Sequence, residues 1–346
     1  MGEAVTPLRW GLIGASDIAA SRVLPALRRL GHEAVSVLSS SIERGRSYAS
    51  ENEVPSAAAT LDELLARDDV DAVYVSTTNE LHHPQTLAAA RAGKHVLCEK
   101  PMAMSVSTAW EMVDACDRAG VVLAVNHHLP AAGCNRAIAR LVAEGAVGRP
   151  LAVRVFHAVA LPERLQGWRL ASPERGGGVV LDITCHDAAL VHAILGREAI
   201  EAAAIAVSQG EWPASVEDAV VTALRYEDDV TVQTHDAFGT PYAKTGLEVH
   251  GTEGSIIADG VMTQEPTGRV LLRDAQGERE ITPPDRRDVY ELTLEAFAAA
   301  VGGEGRPLVT GIDGLRAAAV ALAVLEASRS GRTVPIDWHR GEAAPA

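Results

Sequence analysis

Through the N-terminal part of the chain, short apolar runs alternate with longer stretches in which apolar positions recur every three or four residues. The runs are RWGLIG, EAVSVLSS, VDAVYVST, KHVLCEK and VVLAVN, and SRVLPALRRL, HHPQTLAAARAG and SVSTAWEMVDACDRAG lie among them. Continuous apolar runs mark strands buried on both faces. Parallel strands need long crossovers, so the pattern predicts a doubly wound parallel sheet covered by helices over residues 1–128.

The rhythm then changes. One helical stretch, GGGVVLDITCHDAALVHAILG, is followed by the strand-like runs IEAAAIAVS, AVVTALRY, VTVQTHDAF, GLEVHG, GSIIADG and RVLLRD. Turn signals such as YEDDV, HGTEG and DAQGE separate these runs. The reading is a C-terminal α+β domain, residues 129–338, built on an open, mostly antiparallel sheet. Two helices, Val289–Val301 and Gly311–Ser330, close the chain, and residues 339–346 are expected to form a flexible tail.

Composition narrows the partners. The 346 residues carry a net charge of −15 without long like-charge blocks, which argues against nucleic acid and against anionic membrane surfaces. No run approaches the roughly 18 apolar residues of a membrane span, and the acidic start MGEAVTP lacks a signal-peptide pattern. A cytoplasmic protein, monomer or homodimer, is expected. The four cysteines lie far apart without CxxC spacing, so buried thiols are expected and no metal site.

The first candidate site is GLIGASDIA, residues 11–19, between the first strand and the first helix. In a Rossmann-type dinucleotide loop, one glycine makes the tight turn, a second admits the pyrophosphate and a third lets the helix pack closely. Here those places hold Gly14, Ser16 and Ala19. Serine at the second is a departure, and its hydroxyl is expected to face the phosphates at the helix N-terminus. NAD-selective sites carry an acidic residue after the second strand. This chain has Ser39, Ser40 and Ser41 followed by Arg44, which leaves room and positive charge for a 2′-phosphate, so NADPH is the expected cofactor.

Ligands of open α/β sheets bind beyond the C-terminal strand ends. The polar clusters there are STTNELHH (76–83), CEKP (98–101) and NHH (126–128). In CEKP, Lys100 is held between Glu99 and Pro101, where the X-Pro bond restricts the backbone and is a candidate for cis, and it can donate to a carbonyl oxygen. In the second domain, Asp182 and His186 are four residues apart and share a helix face, with the imidazole able to pass a proton and the carboxylate to orient it. Asp187 projects differently. Trp168, Arg169 and Tyr290 are candidates to wall a polar substrate.

Taken in order, GLIGASDIA, DAVYVSTTNELHHPQTLAAARAGKHVLCEKP, GGGVVLDITCHD and VHGTEGSI resemble the Gfo/Idh/MocA family of sugar and polyol oxidoreductases, from about residue 8 to 335. The EKP motif together with DxxxH carries the resemblance more than the glycine loop does. It implies an NADPH-dependent reduction of a small keto sugar. By this resemblance, Gly14, Ala15, Ser16, Asp17, Ile18, Ser39, Ser40 and Arg44 hold the adenosine end of the cofactor. Thr77, Thr78, Asn79, Glu80, Leu81 and His82 line it, with Glu99 and Lys100 near the nicotinamide. Asn126, Trp168, Arg169 and Tyr290 border cofactor or sugar, and Lys100, Asp182 and His186 are catalytic. The alternatives are an oxidative dehydrogenase of inositol or another sugar, and a non-enzymatic cofactor or sugar sensor on the same fold.

Overall fold

In the computed structural model, which describes residues 7–210 and 216–339, the alternating runs of the N-terminal half become six parallel strands. They are β1 (Arg9–Ile13), β2 (Glu33–Leu38), β3 (Ala57–Ala58), β4 (Ala72–Val75), β5 (His95–Cys98) and β6 (Leu123–Val125), in the order β3-β2-β1-β4-β5-β6. The order reverses between β1 and β4, and the C-terminal strand ends at such a switch point are where open α/β sheets bind ligands. All four residues of β4 are buried, as a strand covered on both faces requires.

The crossovers carry α1 (Leu24–Arg29), α2 (Ile42–Glu51), α3 (Leu61–Leu65), α4 (Asn79–Arg91) and α5 (Val106–Ala119). Ser41, Thr60 and Ser105 start α2, α3 and α5 by accepting a backbone N–H three residues on. The segment SRVLPALRRL is not one regular helix. It opens as a π turn, Ala19–Val23, and continues as α1. Pro25 has no N–H to give to the preceding turn, so the hydrogen-bond ladder changes register where that loss costs least.

The chain divides into two compact units. The first holds residues 7–127 and 290–315, the second residues 128–210, 216–289 and 316–339. Within the first, the ring of Phe297 packs on Trp10 at 5.2 Å, Arg29 pairs with Glu291, and Thr310 bridges to Ala124.

The second unit holds α6 (Gly133–Ala143), α7 (Glu163–Ala171) and α8 (Cys185–Leu195) and a nine-stranded sheet. The strands are β7 (Pro150–Ala158), β8 (Ala199–Val207), β9 (Ala219–Tyr226), β10 (Thr231–Ala237), β11 (Gly246–Gly251), β12 (Gly254–Asp259), β13 (Arg269–Asp274), β14 (Gly277–Ile281) and β15 (Val334–Pro335), in the order β14-β13-β12-β11-β7-β10-β9-β8-β15. Every pairing is antiparallel except β7 with β10. α9 (Val289–Val301) and α10 (Gly311–Ser330) are the closing helices.

The long apolar stretch read as one helix is compound. A π turn, Val180–Thr184, precedes α8, and α8 packs against β7. The helical stretch Pro173–Leu195 has the length and apolarity of a membrane span, but 78% of its apolar window is buried inside the structure, as befits a core helix. All four cysteines are buried thiols. Of the expected tail, residues 340–346 lie outside the described residues.

Candidate active site

The loop after β1 is built on Gly14. Its φ is +117°, a region that L side chains rarely adopt, and a Cβ there would stand 2.8 Å from the Ser76 carbonyl oxygen at the end of β4. Close approach of the two strand-end loops therefore requires glycine. The loop is braced from α2, where Arg44 donates to the Ala15 carbonyl at 3.1 Å and the Tyr48 hydroxyl to the Ser16 carbonyl at 3.0 Å.

Ser16 differs from the expectation. Its hydroxyl donates to Ser76 Oγ at 2.8 Å and accepts the Ala19 N–H at 3.2 Å. It therefore caps the π turn and ties two loops together, which commits the proton that a phosphate oxygen would have taken. Asp17 is exposed, Ala15 and Ile18 are half-buried, and Ala19, fully buried, meets the need for a small residue where the helix packs.

At the end of β2, Ser40 and Arg44 are exposed. Ser39 Oγ is buried and has no hydrogen-bond partner among the described residues. No carboxylate occupies residues 39–42. The buried Ser39 hydroxyl and the exposed Arg44 guanidinium, which reaches the Ala15 carbonyl of the loop after β1, fit the adenosine end of a nicotinamide dinucleotide.

After β4, Thr77 Oγ1 donates to Gln85 and Thr78 Oγ1 to Glu80. Asn79 is buried and Leu81 partly exposed. His82 is fully buried, with Nδ1 2.9 Å from the Pro101 carbonyl and Nε2 3.2 Å from the Thr77 carbonyl. Its ring thus spaces the loops after β4 and β5, and burial lowers its pKa.

The loop after β5 fixes Glu99 from two sides. Glu99 Oε1 accepts from the Tyr74 hydroxyl at 2.5 Å and from Asn126 Nδ2 at 2.6 Å. Burial and the Glu99 charge hold the Tyr74 phenol well above its usual range, so it stays a donor. Sequence reasoning missed Tyr74, because AVYV reads simply as a core strand. Lys100 is half-buried, and its bond to Pro101 is cis. Burial, with the neighbouring Lys100 charge, pushes His127 down to about 3, so it is neutral beside the lysine. Asn126 Oδ1 is buried without a partner among the described residues, a second acceptor left open at the strand ends. Tyr290 is buried in this same unit and close enough to Tyr74 to raise its phenol further.

In the second unit, α7 is kinked at Gly167, and the Arg169 guanidinium lies 4.8 Å from the Trp168 ring centroid. Arg169 Nε also donates to Asp182 Oδ1 at 3.3 Å. Two glycines of GGG are required by close packing. A Cβ on Gly177 would meet the carbonyls of Trp168, Arg169 and Ser172 at 2.8–3.0 Å, and one on Gly178 would meet the Glu217 carboxylate. Asp182 lies in the π turn and His186, buried, in the first turn of α8. The His186 ring meets the edge of His128 at 4.6 Å between centroids. Asp187 points to the sheet and bonds His157 Nδ1 at 2.7 Å.

A strand-end cradle with two open acceptors and a lysine in one unit, and a buried histidine opening a helix in the other, define a nucleotide-cofactor oxidoreductase. The chain belongs to the Gfo/Idh/MocA oxidoreductase family. The family model described as an NAD-binding Rossmann fold matches residues 8–127, and its C-terminal alpha/beta domain matches residues 139–336. The chain is 54% identical to a 1,5-anhydro-D-fructose reductase of Ensifer adhaerens over 95% of its length and 98% of the relative's. It is 29% identical to a D-xylose 1-dehydrogenase (NADP(+)) of Haloferax volcanii over 95% of this chain and 100% of that one. Among solved structures, an aldose-aldose oxidoreductase of Caulobacter crescentus, crystallised with glycerol, matches with a TM-score of 0.86 at 27% identity, covering 95% of this chain and 100% of that one.

Proposed function

We propose that this chain reduces the 2-keto group of 1,5-anhydro-D-fructose with NADPH, giving 1,5-anhydro-D-mannitol. The observation that carries the reading is the 54% identity with a reductase of that name, sustained over 95% of the chain. The preference for NADPH rests on Ser39, Ser40 and Arg44 after β2, where an NAD-selective site would carry a carboxylate. The NADP(+) in the name of the xylose dehydrogenase relative points the same way.

The bound cofactor supplies the hydride. The chain supplies orientation and charge stabilisation. In the first unit, Gly14 to Ile18 and Arg44 hold the adenosine half of the cofactor, while Thr77 to His82 and Glu99 line its path. Lys100 donates a hydrogen bond to the ketone oxygen, and Tyr74 and Asn126 keep Glu99 fixed next to it in sequence. In the second unit, His186 gives a proton to the developing alkoxide, with Asp182 held by Arg169 nearby in the π turn. Trp168 and Asn126 contact the sugar and Tyr290 the cofactor. The substrate is a small keto sugar, and no nucleic acid or membrane partner enters the reading.

The test is an NADPH-oxidation screen with 1,5-anhydro-D-fructose, a glucosone-like dicarbonyl and an inosose, run in parallel with NADH. The expected result is turnover of the anhydro sugar with NADPH at higher kcat/KM than with NADH. Efficient turnover of the inosose alone, or equal use of both cofactors, overturns the substrate or the cofactor assignment respectively.

A further inference from the structure

Three buried groups of the second unit play no part in the reduction described above. They are His157 on β7, Asp187 on α8 and Asp236 on β10, the two aspartates with no exposed surface at all. β7 and β10 run parallel with His157 and Asp236 directly opposite, so both side chains leave the sheet on one face. From α8, Asp187 reaches His157. From the last residue of the π turn, Thr184 Oγ1 donates to Asp236 Oδ2 at 2.5 Å. The two anchors bracket His186, one two residues before it and one directly after.

The donors do not suffice for two carboxylates. Asp187 Oδ1 accepts from His157, and Asp236 Oδ2 accepts from Thr184 and, at 3.1 Å, from Thr234 Oγ1. Thr234 is in turn bonded to Thr222 of β9. Asp187 Oδ2 and Asp236 Oδ1 are buried and lack a partner among the described residues, yet the two carboxyls lie within hydrogen-bonding reach of each other. One proton between them satisfies both oxygens at once. Burial works in the same direction, pushing Asp187 up to about 8 and Asp236 well above its usual range. The other titratable groups facing the pair are His157 from β7 and Tyr226 from β9.

We propose that Asp187 and Asp236 share one proton and form the positioning pair for His186, clamping the first turn of α8 onto β7 and β10 from either side of the imidazole. The positioning role rests on His186 being the proton donor of the proposed reaction, whereas the shared proton does not. The two are therefore tested by readouts that separate them.

The first readout is infrared spectroscopy of the whole protein carrying carboxyl-labelled aspartate, at about pH 7, where ordinary carboxyls are ionised. The wild type is expected to show a protonated carboxyl stretch that is lost in both Asp236→Asn and Asp187→Asn. A wild-type spectrum with no protonated carboxyl overturns the shared proton. The second readout is the titration of His186, followed by NMR on the free protein, together with kcat and KM.

Asp236→Ala removes the anchor and is expected to shift the His186 midpoint and lower kcat about 10-fold with KM for NADPH little changed. Asp236→Asn supplies an N–H where the shared proton stood and is expected to restore both. An Ala variant with unchanged titration and kcat, or an Asn variant as damaged as the Ala variant, overturns the positioning role. Should the proposed reaction itself be wrong, the wild type fails to reduce the ketone while the infrared band and the titration are still read.

Discussion

The dinucleotide loop of the first unit and the glycine-rich turn of the second open on the same local device. Each runs from glycine into a π turn, Ala19–Val23 in one and Val180–Thr184 in the other, before regular helix begins. They differ in what meets the open amides. In the second unit Glu217, from the segment entering β9, supplies the acceptors internally, taking the Val179 N–H on its carbonyl and the Val180 N–H on its carboxylate. Burial raises its pKa. In the first unit the capping atom is only the Ser16 hydroxyl, and an exposed Arg44 lies close by. A helix start filled by its own carboxylate has no place for a phosphate, whereas one closed by a neutral hydroxyl keeps its positive end available. On the proposed reading, the helix start of the first unit suits ligand binding, and that of the second holds α8 while it presents His186.

The sharpest way to break this contrast is to remove the group that the rigid mount presents. On the proposed reading His186→Ala loses a positioned acid, so kcat should fall about 10²- to 10⁴-fold. NADPH binding, measured by fluorescence titration, should hold. Full turnover would reduce the second helix start to a packing feature.

Next in size is the ligand-binding side. A charge-assisted hydrogen bond is worth about 1.5–3 kcal/mol, so Arg44→Ala should raise KM for NADPH about 10- to 100-fold while leaving KM for NADH nearly unchanged. Steady-state kinetics with both cofactors decide it. An equal loss with both would mean that Arg44 acts through its bond to the Ala15 carbonyl and not through a 2′-phosphate.

How far these features were legible in the chain depends on whether they are local. AVVTALRY, GLEVHG and RVLLRD coincide with β9, β11 and β13, because alternation along one strand is a local signal. GEREI, with four of its five residues exposed, carries no apolar period and went unread as β14. The π turns were invisible, since apolar spacing alone does not separate a 3.6-residue turn from a wider one. Lys100 and His186 stood out by chemistry and motif. The company of Asp187 did not, because His157 and Asp236 become neighbours only through the register of β7 with β10, and no periodicity encodes register between strands so far apart.

That buried company gives the mount a pH dependence of its own. Asp187 and Asp236 have folded pKa values above the unfolded value of about 4, so between the two values the folded protein keeps a proton that the unfolded chain has lost. Stability from this pair is therefore fully present below about pH 4 and declines as pH rises toward about 8. Thermal unfolding from pH 5 to 8 should show that decline against the background of other groups, and Asp236→Asn should flatten it. An unaltered slope in the variant would place the ionised pair in the native state.

The smallest effect falls on Ser16, where the loop was expected to spend its hydroxyl on the pyrophosphate. The structure spends it on Ser76 Oγ and on the Ala19 N–H. Ser16→Ala should therefore cost about 1 kcal/mol of stability, as the loss of a helix cap does, and Ser16→Gly only a few tenths beyond any backbone effect. KM for NADPH should change no more than about 2- to 3-fold, since the removed group donates to protein and not to ligand. The opposite outcome, an unchanged Tm with a large rise in KM, would mean that the hydroxyl turns outward when the cofactor arrives. The first helix start would then resemble the second, with its own side chain contributing directly to what the site holds.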